Sequence, residues 1–213
     1  MSKTLVVSYT PSFESNTKKL VDAYLQATAD TTDIIHLDLV KDPAPLLLEK
    51  NLNTLLKRNF MGKELTPAES ETLSDIDLLM RQFKEADRIV LAFPMYNFSV
   101  PASVKAWIDT IIQNGQTFKI KEEGGYEGLC QGKHALILMT TGGDYAKEPE
   151  KSMDFATPLI QTCMGFMGFM GFMGITSHVI TAGGLNQYMD SVDEIVSRTQ
   201  QQVTQYVKNS PLW

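Results

Sequence analysis

The stretch Arg88-Ile-Val-Leu-Ala-Phe-Pro-Met-Tyr-Asn-Phe-Ser-Val-Pro101 decides how the rest of the chain is read. Its first six residues are a Val/Ile-bearing apolar run of strand length, the pattern of a strand buried on both faces of a parallel sheet. Its last residue opens a helix-length segment over 101–113, and proline suits a first helical turn because its missing N–H costs nothing there. Between the two, Met95, Tyr96 and Phe98 stand where a water-facing loop should be polar.

The same strand pattern recurs at 4–8 and 134–140, and more weakly at 33–38 and 177–181, which makes five strands. Helical segments separate them: 17–29 with Leu20, Tyr24 and Ala27 on one face, 67–85, 101–113 and 192–208. Thr66-Pro67-Ala68-Glu69 is a capping box at the head of the second, and Asp190 or Ser191 is the expected cap of the last. Residues 41–65, with Asp42-Pro43 and Pro45, read as an irregular excursion. Strands alternating with such helices mean βαβ crossovers and an α/β, doubly wound five-stranded parallel sheet with helices on both faces. No Pro/Gly/Ser-rich linker divides the chain, so one domain over 1–213 is expected.

Nineteen Lys plus Arg against 25 Asp plus Glu leave a net charge of −6, which argues against a nucleic-acid groove or an anionic membrane surface. Cys130 and Cys163 are too few for a disulfide framework, and His36, His134 and His178 lie far apart, so no metal site is expected. The start, MSKTLVVSYT, lacks the long apolar region of a signal peptide. The stretch 163–175 has 13 residues without a polar side chain, against roughly 20 for a membrane span. A cytoplasmic protein with no membrane partner is the expectation.

In a doubly wound sheet ligands bind beyond the carboxyl ends of the strands, where strand order reverses. The loop after the first strand, Ser8-Tyr-Thr-Pro-Ser-Phe-Glu-Ser-Asn-Thr17, ends in Ser15, Asn16 and Thr17, small polar residues at a helix start where free N–H groups suit a phosphate. The same residues would equally serve as a helix cap. This loop is neither Gly-x-Gly-x-x-Gly nor a Walker sequence, so a monophosphate fits better than a dinucleotide or nucleoside triphosphate. After the third strand, Met95, Tyr96, Asn97 and Phe98 offer apolar plates and one amide to a flat heteroaromatic ligand, or else close the core over the next helix. After the fourth, Thr140, Thr141, Gly142 and Gly143 let backbone lie against a ligand, as would a plain turn. A phosphate site, an aromatic plate and a glycine-lined edge together describe flavin mononucleotide (FMN).

The chain resembles the FMN-dependent NADH azoreductase and quinone reductase family, of flavodoxin-like fold, over nearly all of its length. Pro-Met-Tyr-Asn-Phe at 94–98 is the most specific piece. Thr117-Phe118-Lys119, Glu127-Gly128-Leu129, Thr-Thr-Gly-Gly at 140–143 and Thr157-Pro158 leading into Gly-Phe-Met-Gly-Ile-Thr support it. The family usually has Ser-Arg-Gly-Gly at 140–143 and Ser-Gln-Ser at 15–17, so Thr140 and Thr141 are departures. The resemblance implies that NADH or NADPH reduces the flavin and leaves before a quinone or azo compound is reduced at the same face. No side chain would act as a nucleophile. It also implies a homodimer in which Phe118 crosses to wall the partner's substrate site; Phe118 could also be a local core residue. A flavodoxin-type electron carrier, without small-molecule turnover of its own, is the alternative.

Gly-Phe-Met is written three times over 165–173 where the family carries one Gly-Phe-x-Gly, which looks like a six-residue tandem expansion. Six residues are not a whole number of helical turns, and glycines at this spacing weaken a helix. The extra copies are expected to protrude as an apolar lid over the acceptor site, the other reading being a lengthened buried helix.

Overall fold

A computed structural model describes residues 2–168, 177–210 and 213. Most of the tandem Gly-Phe-Met repeat, and with it the expected lid, lies outside the described residues.

Five strands, β1 (Ser2–Ser8), β2 (Thr32–Asp38), β3 (Arg88–Pro94), β6 (His134–Thr140) and β7 (Ser177–Ala182), form one parallel sheet in the order β2-β1-β3-β6-β7. This is the flavodoxin-type order, and strand order reverses between β1 and β3. Strand alternation sorts the apolar runs onto two faces. Leu5, Val7, Leu91, Phe93, Ile137 and Met139 pack under the helices α4 (Ser74–Glu85), α5 (Ala102–Ile111) and α6 (Ala156–Met167), where Phe83 and Trp107 fill the centre. Val6, Val90, Leu136 and Leu138 meet α1 (Asn16–Thr28) and α7 (Val192–Asn209) through Leu20, Tyr24, Val203 and Val207. Both faces are covered, which is why these strands are continuously apolar rather than alternating.

Four details depart from the sequence reading. The excursion 41–65 contains a helix, α2 (Glu49–Asn59). Leu48 occupies its cap position with no polar side chain, and the Asn51 amide oxygen reaches back to accept from the Leu48 N–H at 2.7 Å. The segment 67–85 is two helices, α3 (Pro67–Thr72) and α4, broken at Leu73. Leu73 is fully buried against Leu55 and Ile76, and turning it into that small core breaks the helical phase. A short antiparallel hairpin, β4 (Phe118–Ile120) with β5 (Tyr126–Gly128), was not expected; its three-residue strands carry too little pattern to be seen. Finally, Ser191 does head α7 but makes no side-chain cap bond.

The hairpin is seated on the end of α6. Cys130 N–H donates to the Met167 carbonyl at 2.8 Å, and a Cβ on Gly128 would overlap the backbone of Gly168. Gly168, at φ +92°, ends α6 in the left-handed conformation that glycine takes most readily.

Candidate functional site

Three loops at the carboxyl ends of β1, β3 and β6 line one cleft of about 280 Å³ at the β1/β3 reversal. Ser12, Ser15, Asn16 and Thr17 of the first loop line it together with Met95 and Tyr96 of the second and Thr140, Thr141 and Gly142 of the third, and Thr17 and Thr140 meet where the first and third loops join. An adjoining cleft of about 380 Å³ shares Met95 and Gly142 and adds Asn97, Phe98 and Gly143. Every expected cofactor residue thus lines one cleft or the other.

Their side chains divide the work differently from the sequence expectation. The Ser15 hydroxyl accepts from the Lys18 N–H at 3.2 Å and so caps α1. The Thr17 and Thr140 hydroxyls bond each other at 2.6 Å, both buried, and tie α1 to the end of β6. The Thr141 hydroxyl donates to the Gly143 carbonyl at 2.7 Å and shapes its own loop. At 15–17 the groups left for a ligand are therefore the Asn16 amide and backbone N–H groups of the first helical turn, while the main chain of Thr141 is bonded to Ala182 and Leu185.

The aromatic loop is a tight hairpin turn. Tyr96 and Ser99 exchange N–H···O bonds of 2.9 and 3.0 Å, and the two residues between, Asn97 and Phe98, have φ of +46° and +69°. Positive φ is ordinary for Asn and strained for Phe. Tyr96 and Phe98 are each 45% exposed on this turn and do not close the core over α5. Tyr9 stands edge-on to Tyr96 at 6.0 Å between centroids. Partial burial, reinforced by Tyr9, pushes the Tyr96 phenol pKa up, so it remains a neutral donor.

Sequence reasoning missed the loop after β7, which places Leu185 and Asn186 in the cleft wall. It is zipped to the glycine loop by Gly184 N–H to Gly143 O at 3.0 Å and Asn186 N–H to Gly142 O at 2.9 Å. A Cβ on Gly142 would stand 2.6 Å from Asn186 Nδ2, so a side chain there would push the Asn186 amide aside. The Gly183-Gly184 pair was the available signal.

Phe118 is brought elsewhere. It is 8% exposed and packs on Phe166 at 4.8 Å and Tyr126 at 6.0 Å within its own chain. That leaves little ring surface for a partner; Ile120 and Tyr126 are the exposed side chains of the hairpin.

The donor set fits FMN. The Ser12 and Asn16 side chains lie beside the N-terminus of α1, where backbone N–H groups can receive a phosphate; among the described residues no Lys or Arg lines the cleft, and Glu14 is its one carboxylate. The other end pairs apolar and aromatic side chains with glycine backbone, as a heteroaromatic ring requires.

Comparison with known proteins agrees with this geometry. The family model described as flavodoxin-like fold matches residues 2–207. An FMN-dependent NADH:quinone oxidoreductase of Hyphomonas neptunium is 36% identical over 159 residues, 72% of each chain. One of the same description from Bacillus cereus is 33% identical over 202 residues, 92% of this chain and 93% of that one. The crystal structure of an azoreductase from Bacillus anthracis superposes with a TM-score of 0.84 at 26% identity, covering 99% of this chain and 100% of the other. The chain belongs to the flavodoxin-like family of FMN-dependent NADH:quinone oxidoreductases and azoreductases.

Proposed function

We propose that this protein is an FMN-dependent oxidoreductase that uses NADH or NADPH to reduce quinones and aromatic azo compounds. The observation that carries the reading is the convergence of a helix N-terminus, an aromatic turn and a glycine loop on one cleft at the strand-order reversal. FMN, when bound, supplies the chemistry, taking a hydride from the nicotinamide and passing reducing equivalents to the acceptor.

The chain's own residues bind and orient. Main-chain N–H groups at 15–17 hold the phosphate, with Ser15 and the Thr17–Thr140 bond fixing the helix that presents them. Met95 and Tyr96 bear on the ring, Asn97 exchanges hydrogen bonds with its polar rim, and main chain at 141–143 lies along its edge. Phe98 and Tyr145, in edge-on contact at 6.4 Å, form an apolar step at the mouth that excludes water from the donor and acceptor. Both clefts are open on one side, and a second copy of the chain closes them in a homodimer. The chain works in the cytoplasm; among the described residues no helix is long and apolar enough to cross a membrane.

Because donor and acceptor stack in turn on one ring face, initial rates at several fixed quinone concentrations should give parallel double-reciprocal lines. Intersecting lines would mean that both substrates bind together, and the single-face reading would fall.

A further inference from the structure

A further cleft, of about 450 Å³, lies where β6, the edge strand β7 and α7 meet. It shares Thr141 with the first cleft and Tyr145 with the adjoining one, so it continues the flavin site. Its lining combines three chemistries. Met139, Val179 and Ile195 are apolar. Tyr145 and Tyr188 are rings folded against glycine main chain: a Cβ on Gly143 would stand 3.0 Å from Tyr145 Cζ, and one on Gly184 2.5 Å from Tyr188 Cδ2. Arg198, Asp144 and Asp154 are charged. Arg198, one turn beyond Ile195 on α7, is exposed and makes no hydrogen bond or ion pair among the described residues. The carboxylates are each engaged through one oxygen. Asp144 Oδ1 accepts from the Ala146 N–H at 3.0 Å, and Asp154 Oδ1 from the N–H groups of Ala156 and Thr157 at 2.9 Å each, which leaves Oδ2 of both for a ligand.

We infer that this cleft receives the adenosine diphosphate half of the hydride donor and favours NADH over NADPH, an inference that rests on the proposed function and adds where the donor's remote half is held. Continuity and chemistry select this occupant. A nicotinamide on the flavin beside Gly143 leaves the rest of the donor to run past Tyr145, the residue common to both clefts. Adenine is a flat ring system that suits the two phenol rings. The unpaired Arg198 guanidinium matches diphosphate oxygens two at a time. Carboxylate oxygens accept from ribose hydroxyls, the role an acidic residue takes in dinucleotide sites. The same carboxylates set the preference between donors. A 2′-phosphate would bring about two further negative charges beside Asp144 and Asp154, against one lining cation. The flanking chain does not offset this, since Lys147 and Lys151 stand against Glu148, Glu150, Asp190 and Glu194.

The test is isothermal titration calorimetry of FMN-loaded protein with ADP-ribose, the donor without its nicotinamide, and with its 2′-phosphorylated analogue. Loaded FMN keeps the probes' phosphates out of the first cleft. ADP-ribose should bind the parent, and Arg198→Gln should weaken it roughly tenfold or more. The 2′-phosphorylated analogue should bind the parent more weakly than ADP-ribose, and Asp144→Asn, which keeps an oxygen for the Ala146 N–H, should narrow that gap. In anaerobic bleaching of the flavin, the advantage of NADH over reduced nicotinamide mononucleotide, which lacks this half, should shrink by a similar factor in Arg198→Gln. No binding of ADP-ribose, equal binding by parent and Arg198→Gln, or an unchanged advantage of NADH, in protein whose FMN is bleached by NADH, would overturn this cleft and leave the proposed function standing. Equal or tighter binding of the 2′-phosphorylated analogue by the parent would overturn the preference for NADH. Protein that retains no FMN would overturn both the inference and the function it rests on.

Discussion

Phe98 is the residue where fold and function pull apart. Held at φ +69°, it sits in a region where a bulky side chain costs on the order of 1–3 kcal/mol. Phe98→Gly removes that strain together with the ring's contact on Tyr145. Unfolding of the flavin-free protein in urea should show unchanged or raised stability, while kcat/KM for a quinone falls. A large loss of stability would show that the turn is not strained. The Thr17–Thr140 bond makes the opposite case, of a site residue that acts through structure. Thr17→Val leaves the Thr140 hydroxyl buried without its partner, at a cost of about 1–3 kcal/mol, and the double change with Thr140→Val should recover much of it. Equal losses in single and double variants would deny the coupling.

At the scale of elements, α2 and α3 are joined by Lys57 and Glu69. The Lys57 ammonium, and then the Thr66 N–H, bring the Glu69 carboxyl from an ordinary 4.5 down to about 2. A depressed pKa means that this contribution is complete above pH 4.5 and is lost as pH falls toward 2. An NMR titration should place Glu69 well below the ordinary carboxylate range, and Lys57→Met should move it back up. A Glu69 that titrates normally in the parent would contradict the pairing. These elements also show what the sequence could disclose. The five sheet strands and α1, α5 and α7 were legible because burial on one or both faces leaves a period or an unbroken apolar run. The Thr66 capping box was legible because its chemistry is local. α2 was hidden because its cap is Asn51 reaching back to a leucine and its apolar positions face two ways, inward at Leu55 and outward at Leu52 and Leu56. The break at Leu73 and the loop bearing Asn186 depend on partners distant in sequence, which no local pattern records. For the same reason the loops of the site were legible as places, while the turning of Thr17, Thr140 and Thr141 toward one another was not.

For the whole molecule, a single topological fact organises the site. Strand order reverses between β1 and β3, and the loops that follow diverge in sequence while converging in space. Whether this cleft holds FMN that NADH or NADPH can reduce is read by adding FMN to flavin-free protein, removing the unbound fraction, and following visible flavin absorbance without oxygen as NADH and then a quinone are added. One FMN should be retained per chain, bleached by NADH in a single two-electron step and restored by the quinone. Protein that retains no flavin, or whose bound flavin NADH leaves unbleached, would contradict the proposed function.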